Sequence, residues 1–505
     1  MSELLELKGK GLKLEQVAEV AERGRKVRLA AAALPRLRAT RAVVEHARAQ
    51  DVPAYGINTG LGRLSDVRIA PDKIRELQLN LLRSHSCGVG APLATPVVRA
   101  MLLLRANSLA KGYSGVRPQV IEALCALLNR GVHPLVPSQG SVGASGDLAP
   151  LAHLALVLIG EGEAEYRGRK MPGAAALRAA GLRPLTLEAK EGLSLLNGTQ
   201  AMLASGTLSL LGAERLVEAA EVVGALSLEA LRGTPVAFDA RLQEVRGQTG
   251  QAISAARLRR LLAGSAIRRS HLHCNRVQDA YSLRCMPQVH GAVRDTLAFV
   301  RTTFSIEANA AVDNPLVFPT PGGTGSGEVL SGGNFHGEPL AYALDYAAIA
   351  LCGLAGISER RLERLVNPAL NEGLPAFLAP DPGLHSGLMM AQVTAAALVA
   401  ENRVLAHPAS VDSIPTSGNK EDYVSMGMGA ALKLERVLAN TASVLGIELV
   451  AARHALRHLE PLQPSRKLQA VLANARERIP PLIRDRVPAT DIAAARELIV
   501  SGALA

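Results

Sequence analysis

Residues 438–459 read LANTASVLGIELVAARHALRHL and carry the most regular apolar pattern in the chain. Leucine and alanine recur there in steps of four and three residues, at Leu438, Ala442, Leu445, Leu449, Ala452, Leu456 and Leu459. That spacing puts these side chains on one face of a long helix. A long helix with a continuous apolar face needs long partners, so the pattern predicts a helical bundle and a mainly all-α fold.

The composition of the 505-residue chain agrees with close-packed helices. Apolar residues make up 48% and aromatic residues 3%, with no Trp, so the core must be built mostly from Ala, Leu and Val. Charged residues are 20%, and this balance excludes wholesale disorder.

The net charge of +11 raises the question of a nucleic acid or another anionic partner. The basic residues are mostly scattered, and the short clusters at 23–26 and 257–260 have no interleaved aromatic residues to stack on bases. We interpret them as solvated faces and expect no nucleic-acid partner.

The sequence also indicates a cytoplasmic protein. No apolar run follows the first charged residues, as a signal peptide would require. The five cysteines are sparse and odd in number, which favours reduced thiols. The longest apolar stretch, Ala341–Ile357, is interrupted by Asp345 and falls short of the ~20 residues of a membrane span. We expect a buried core helix there and no membrane contact.

Proline and glycine mark the expected element boundaries. Helices are expected over Pro71 to Arg83, Pro96 to Lys111 and Pro118 to Gly131, and over Leu148 to Ile159 with Asp147 as the cap. A short hairpin is expected within 160–192, and long loops at 133–146, 318–333 and 404–425. We predict a smaller mixed N-terminal domain over 1–110 and a helical domain over 111–505.

The strongest functional signal is GSVGASGDLAP, from Gly140 to Pro150. A phosphate-binding P-loop would carry Lys and Ser or Thr after the last Gly, where Asp147 stands instead. A nucleophile elbow would carry Gly at that same position. A dinucleotide fingerprint would follow an apolar strand, and PLVPSQ is a poor one. A plain tight turn remains open.

The tripeptide Ala144-Ser145-Gly146 also fits a backbone that cyclises on itself. Gly146 offers an unhindered amide nitrogen to the Ala144 carbonyl. Loss of water from the ring and from the Ser145 side chain would leave an electrophilic methylidene group. Gly143 permits the tight bend. A helix that begins at Asp147 would direct its positive end toward the ring.

At this motif the chain resembles the aromatic amino-acid ammonia-lyases, whose electrophile, 4-methylideneimidazole-5-one (MIO), forms from Ala-Ser-Gly. The resemblance spans nearly the whole chain in the blocks YGINTGLG, RSHSCGVG, GASGDLAPLAH, EGLSLLNGTQ, QDAYSLRCMPQV, DNPL, GGNFHG, DPGLHSGLM and NKEDYVSMG. It implies an MIO formed from Ala144, Ser145 and Gly146 and a long-helix fold of the ammonia-lyase and fumarase-like type. It also implies a homotetramer in which several subunits build each pocket.

The resemblance assigns Tyr55 as the catalytic base and Arg284 as the arginine that binds the substrate carboxylate. A tyrosine needs a pKa below its ordinary value near 10 for that role, and nearby positive charge would lower it. Tyr281 and Gln278 precede Arg284 in steps of three, so on one helix they would form a polar stripe that lines a pocket.

The resemblance extends to Asn197 and Phe335, which match pocket residues that hold the MIO group and the substrate. Ser84-His85 resembles the histidine-acting members, in which His85 would face an imidazole. Glu421 stands where the phenylalanine and tyrosine enzymes carry Gln, and a carboxylate is the stronger acceptor for an imidazole N–H. These features imply deamination of L-histidine to trans-urocanate and ammonia, with Glu421 among the catalytic residues.

Alternatives stay open at this point. Lys420 and Tyr423 replace the Gln and His expected beside Glu421, and SHSCGVG resembles some tyrosine-acting enzymes and aminomutases. A tyrosine or phenylalanine lyase and an aminomutase are therefore alternatives. A fumarase-type lyase would carry Gly-Ser-Ser-x-Met-Pro-x-Lys-x-Asn, which TSGNKEDYVSMG does not supply. A non-catalytic helical binding protein is the alternative from another class.

Metal binding is not expected. The spacing of His271, His273, Cys274 and Cys285 fits no paired ligand motif. His153, in LAPLAHLAL, is expected to be a hydrogen-bonded core histidine.

Overall fold

The computed structural model describes residues 4–50, 52–322 and 325–504. The fold is mainly α-helical, as predicted. The helices are α1 (Leu14–Arg23), α2 (Leu34–Ala49), α3 (Ile74–His85), α4 (Thr95–Ala110), α5 (Pro118–Arg130), α6 (Leu148–Leu158), α7 (Gly173–Ala179), α8 (Glu191–Leu196), α9 (Gln200–Ala230), α10 (Ala240–Glu244), α11 (Thr249–Leu262), α12 (Ala266–Ser270), α13 (Tyr281–Arg284), α14 (Met286–Glu307), α15 (Glu338–Val366), α16 (Met389–Leu405), α17 (Gly427–Arg457), α18 (Arg466–Arg478) and α19 (Pro488–Val500).

The strands are short and form small sheets of two or three strands in the described part of the chain. They are β1 (Leu5–Leu7), β2 (Val27–Leu29), β3 (Val89–Pro92), β4 (Val132–Pro134), β5 (Pro137–Gln139), β6 (Glu163–Tyr166), β7 (Arg169–Pro172), β8 (Leu316–Pro319) and β9 (Gly327–Leu330). β1 pairs with β2 in parallel, and the pairs β3–β5, β4–β6, β6–β7 and β8–β9 are antiparallel.

The chain forms two compact units, each assembled from three segments. The first contains Met1–Leu208, Arg301–Leu344 and Pro408–Leu432, and the second contains Ser209–Val300, Asp345–His407 and Lys433–Ala505. These units differ from the predicted domains 1–110 and 111–505. Arg99 of α4 donates a hydrogen bond to the Leu128 carbonyl of α5 at 3.3 Å, which ties together the segments on either side of residue 110. The division at 110 stays a prediction.

The long apolar seam lies on α17 in the second unit. Five of its seven residues are buried, namely Ala442, Leu445, Leu449, Ala452 and Leu456. Leu438 is half-buried, and Leu459 falls outside the helix, which ends at Arg457. The seam therefore marks a buried helix face, and only its last member was placed wrongly.

A polar cluster lies in the core of the second unit. The buried Glu448 carboxylate accepts hydrogen bonds from Arg361 at 2.6 and 2.8 Å and from Ser227 and Ser358 at 2.6 Å. A buried ion pair is costly unless its remaining hydrogen-bonding capacity is used. The two serines use that of the carboxylate, while Arg361 Nη1 is buried without a hydrogen-bond partner among the described residues.

Most element boundaries in the first third agree with the sequence. A 3₁₀ turn at Pro71–Lys73 leads into α3, and α4 and α5 match their predicted spans to within a few residues. Gly131 ends α5 in the left-handed conformation, at φ 71°. The hairpin predicted within 160–192 is formed by β6 and β7.

Two of the three predicted long loops contain strands. The segment 133–146 includes β5, and 318–333 contains β9, paired with β8. These strands are only three or four residues long, too short for an alternating pattern to reveal them. Residues 323–324 of the second loop lie outside the described residues. The segment 404–425 is a loop as predicted, apart from the end of α16 and a 3₁₀ turn at Ser417–Asn419.

One described helix, α15, is long and apolar enough to cross a membrane by length and composition alone. More than half of its most apolar window is buried inside the protein. Asp345, within this helix, is buried and pairs with Lys433 at 3.3 Å. These features are those of a core helix.

Candidate active site

The Ala-Ser-Gly tripeptide forms a strained tight turn. Ser145 has φ 54°, an unusual value for a residue with a side chain, and Gly143 and Gly146 have φ 80° and 76°. The Gly146 N–H donates to the Gly143 carbonyl at 3.3 Å. A Cβ on Gly146 would lie 2.2 Å from the Gly198 carbonyl oxygen, and one on Gly143 would lie 2.0 Å from Ser425 Oγ. Only glycine fits at either position.

Asp147 caps a different helix from the predicted one. It lies at the start of α6, but its side chain makes no cap to that helix. Its buried carboxylate accepts hydrogen bonds from the backbone N–H groups of Ala201 and Met202, both at 2.9 Å, in the first turn of α9. Ser141 Oγ donates to the other oxygen at 2.9 Å. Burial raises the pKa of Asp147 to about 6.

Glu421 lies directly at the turn, although 276 residues separate it from Ser145. Ser145 Oγ donates to Glu421 Oε1 at 2.8 Å. Ser417 Oγ donates to Oε2 at 2.6 Å, and Thr416 Oγ1 donates to the same oxygen at 3.2 Å. The carboxylate is half-buried and fixed on both oxygens. It therefore lies against the Ala-Ser-Gly turn and is not a solvated loop charge.

Tyr55 lies in the same unit, half-buried in its glycine-rich loop. Its hydroxyl accepts a hydrogen bond from the Gly62 N–H at 3.4 Å. Burial raises the pKa of Tyr55, and the carboxylates of Glu421 and Asp313 raise it further. The expectation that positive charge lowers this pKa is not met within the unit, because the charged groups that shift it are negative.

His85 is the last residue of α3 and half-buried. Its Nδ1 is 2.9 Å from the Leu81 carbonyl oxygen. A carbonyl oxygen can only accept, so Nδ1 carries the proton and Nε2 is left as the hydrogen-bond acceptor. Burial lowers the pKa of His85, which favours the neutral ring.

Asn197 is buried at the end of α8. Its Nδ2 donates to the Asn314 carbonyl at 3.0 Å and to Asp313 Oδ1 at 3.4 Å. Its Oδ1 is buried and has no hydrogen-bond partner among the described residues. Asp313 is held by the fully buried Lys190, whose Nζ lies 2.8 Å from Oδ2. Asn197 therefore presents a fixed acceptor that the chain itself does not satisfy.

Phe335 is half-buried in the segment that precedes α15. Its neighbour His336 stacks on Tyr423, with ring centroids 6.2 Å apart and an interplanar angle of 18°. Because Tyr423 follows Glu421 by two residues, this stacking brings the Phe335 segment to the Glu421 loop.

Gln278, Tyr281 and Arg284 belong to the second unit, so the structure does not group them with Ser145 in one unit. The Arg284 guanidinium lies 4.5 Å from the centroid of the Tyr281 ring. The predicted helical stripe is wrong for Gln278. α13 begins at Tyr281 after an extended Ala280, and Gln278 is exposed in the preceding loop.

Sequence reasoning missed the residues that fix the site. Thr416 and Ser417 donate hydrogen bonds to Glu421, and Ser425 lies against Gly143. Asp313, itself paired with Lys190, accepts a hydrogen bond from Asn197. Ser425 and Asp313 lie within the blocks NKEDYVSMG and DNPL, and Thr416 and Ser417 precede the first of these, which was the only signal available. No group of His, Cys, Asp or Glu suited to a metal ion occurs in the part of the chain that the structure describes.

A mainly helical fold with a strained Ala-Ser-Gly turn, in which Ser145 is hydrogen-bonded to the Glu421 carboxylate, is the arrangement expected of an ammonia-lyase type of enzyme. The family model described as aromatic amino acid lyase matches residues 12–477. The chain belongs to the aromatic amino acid lyase family.

Relatives of known sequence and structure span the whole chain. It is 62% identical to a histidine ammonia-lyase of Koribacter versatilis (strain Ellin345), over 99% of this chain and 98% of that relative. It is 55% identical to a histidine ammonia-lyase of Stigmatella aurantiaca, over 99% and 97%. The crystal structure of a histidine ammonia-lyase from Trypanosoma cruzi superposes with a TM-score of 0.91 at 42% identity, covering 99% of this chain and 94% of that one. A tyrosine aminomutase from Streptomyces globisporus reaches 0.93 at 40%, covering 99% and 98%.

Proposed function

We propose that this enzyme is a histidine ammonia-lyase, which converts L-histidine to trans-urocanate and ammonia. Full-length relatives with that name, at identities up to 62%, support the proposal. The observation that carries it is the 2.8 Å hydrogen bond from Ser145 Oγ to Glu421 Oε1. This bond joins Glu421, which we expect to distinguish an imidazole from a phenyl ring, to Ser145, which we expect to become part of the electrophile.

We propose that Ala144, Ser145 and Gly146 close to form MIO, and the residues present fit that group. The turn is already folded back, with positive φ at Ser145 and Gly146. The unpartnered Oδ1 of Asn197 is a hydrogen-bond acceptor in the same unit and suits the N–H groups of the substrate amine, because the MIO ring has no N–H of its own. α6 begins at Leu148, two residues after Gly146, so the positive end of its dipole lies close to the turn. When formed, MIO supplies an electrophilic carbon that makes the substrate amine a better leaving group.

Glu421 and His85 would bind the imidazole. Loss of the Ser145 hydroxyl removes the donor to Glu421 Oε1, while Ser417 still holds Oε2. Oε1 then accepts one imidazole N–H. His85 presents Nε2 as a second acceptor. Two acceptors match the two N–H groups of a protonated imidazole ring, and a phenyl ring could use neither.

Tyr55 would remove the β-proton, and Arg284 would bind the substrate carboxylate in a bidentate fashion. Burial and two carboxylates raise the pKa of Tyr55 within its own unit, so a base at this position needs a cation from elsewhere. We therefore propose a homotetramer in which one chain supplies Tyr55 and Ser145 and another supplies Gln278, Tyr281 and Arg284. A cytoplasmic location is consistent with five free cysteines.

Co-expression tests the shared pocket. Ser145→Ala and Arg284→Ala are each expected to be inactive. If pockets combine residues from two chains, mixed oligomers contain some intact pockets and regain activity. If each chain forms its own pocket, the mixture stays inactive.

The tyrosine and phenylalanine alternatives concern the same site. The likeness to a tyrosine aminomutase at 40% identity favours a test of that outcome. The purified enzyme is incubated separately with L-histidine, L-tyrosine and L-phenylalanine, and the ultraviolet absorbance of the conjugated acrylate is followed. A rise with histidine alone is expected. A rise with tyrosine or phenylalanine instead would overturn the substrate assignment, and β-amino acid in the product would indicate an aminomutase.

A further inference from the structure

His153 has a hydrogen-bond partner that the proposed chemistry does not explain. It lies on α6, which begins directly after the Ala-Ser-Gly turn. Its Nε2 accepts a hydrogen bond from the Gly88 N–H at 3.1 Å. Gly88 follows His85 by three residues, so this bond joins the helix that leaves the turn to the loop that directly follows His85.

The same loop is also attached to the segment that enters the turn. β3, which begins at Val89, pairs with β5, and Val89 lies opposite Gln139. Gly140 follows at φ 143°, and a Cβ there would lie 3.1 Å from Gly88 Cα. The two backbones are therefore in close contact, and Gly88 is held from both flanks of the Ala-Ser-Gly turn.

We propose that His153 is a positioning residue that fixes His85 relative to Ser145 and so sets the imidazole-binding geometry. This inference rests on the proposed function. Because Nε2 accepts from a backbone N–H, the ring must be neutral with its proton on Nδ1. Burial lowers the pKa of His153, in agreement with a neutral ring.

The bond matters because the hydrogen-bond contacts of the His85 ring, to Leu81 and Ser84, both lie within its own helix. Its ring is held at Nδ1 by Leu81 of its own helix, and α3 ends at His85. The bond to His153 is a side-chain contact that ties the following loop to α6. A displacement of about 1 Å in a positioning group can lower a rate by about a hundredfold.

Two amide variants form a matched pair. In His153→Gln the side-chain oxygen reaches the place of Nε2 and can accept from Gly88, whereas in His153→Asn it reaches only the place of Nδ1. We expect His153→Asn to raise the KM for L-histidine and lower kcat/KM by about ten- to a hundredfold. His153→Gln should stay within about threefold of the natural enzyme. Intact mass should show the loss of two waters in both, because the turn itself is unchanged.

A double-mutant cycle with His85→Leu tests whether His153 acts through His85. If it does, His153→Asn adds little to the loss already caused by His85→Leu. Equal kcat/KM for the two amide variants, or fully additive losses in the cycle, would overturn the inference. Failure of the proposed function would look different, because the natural enzyme would then lack either the two-water loss or activity on histidine.

Discussion

Replacement of Glu421 by Gln tests imidazole recognition with the smallest change in shape. The carboxylate is fixed by Ser417 at 2.6 Å and Thr416 at 3.2 Å, both on Oε2. An amide oxygen can accept from the same two hydroxyls, so the loop should keep its conformation. What changes is the group that faces Ser145 and, after dehydration, the substrate, because a charged acceptor oxygen is replaced there by a neutral NH2 donor.

The expected size of the effect follows from that one contact. A hydrogen bond to a charged group contributes about 1.5–3 kcal/mol. At 1.4 kcal/mol for each factor of ten, kcat/KM for L-histidine should fall by about 10- to 150-fold in Glu421→Gln. Lys420→Gln is the matched control, because it changes the charge of the adjacent, exposed residue. It should stay within about twofold.

The assay is the initial rate of urocanate formation over a range of L-histidine concentrations, with MIO content measured by intact mass in each variant. A loss of kcat/KM in Glu421→Gln with full MIO content supports recognition of the imidazole. If Glu421→Gln and Lys420→Gln are equally active, the reasoning is refuted. A loss explained entirely by missing MIO would assign Glu421 to ring formation instead.

Three further predictions concern the base, the turn and stability. Tyr55→Phe should lower kcat by about 10²- to 10⁴-fold with little change in melting temperature, because the hydroxyl makes one 3.4 Å hydrogen bond; near-normal kcat would contradict its role. Gly146→Ala should prevent the two-water loss, since its Cβ would lie 2.2 Å from the Gly198 oxygen, whereas Gly168→Ala, at φ 73° in open space, should retain the two-water loss. The contribution of Glu229 to the free energy of unfolding should fall as pH rises from about 4.5 to about 7, because burial raises the pKa of Glu229 to about 7 and the native state holds a proton that the unfolded state releases. Buried histidines with lowered pKa values act in the opposite direction, so the Glu229 contribution is isolated as the difference between the urea-denaturation free energies of the natural protein and Glu229→Gln at each pH. A difference that does not vary with pH over this range would contradict the prediction.

Local sequence patterns were sufficient to predict much of the fold. Apolar periodicity located α17 and its buried face, and proline and glycine located the ends of α3, α4 and α5. These features depend on residues within a few turns of one another. Short strands such as β5 and β9 were not predicted, because they form by pairing with another segment and their own sequences carry no strand pattern.

The sequence predicts residue types for the candidate site but not their geometry. Asp147 had the correct position for a cap, yet its carboxylate binds the N-terminus of α9, more than 50 residues away. The contact between Ser145 and Glu421 spans 276 residues, and no local rule could supply it. Gln278 was predicted to lie on a helix from its spacing alone. That prediction is wrong, because the backbone is extended at Ala280 and the helix begins only at Tyr281.

We propose that Ala144, Ser145 and Gly146 become the electrophile MIO. Intact mass of the purified enzyme, compared with Ser145→Ala, tests it most directly. We expect the mass of the natural enzyme to be lower by two waters than the mass of its sequence, with the loss in the peptide that contains residues 144–146. Ser145→Ala should retain the full mass of its sequence. A natural enzyme of unmodified mass that still forms urocanate would contradict it.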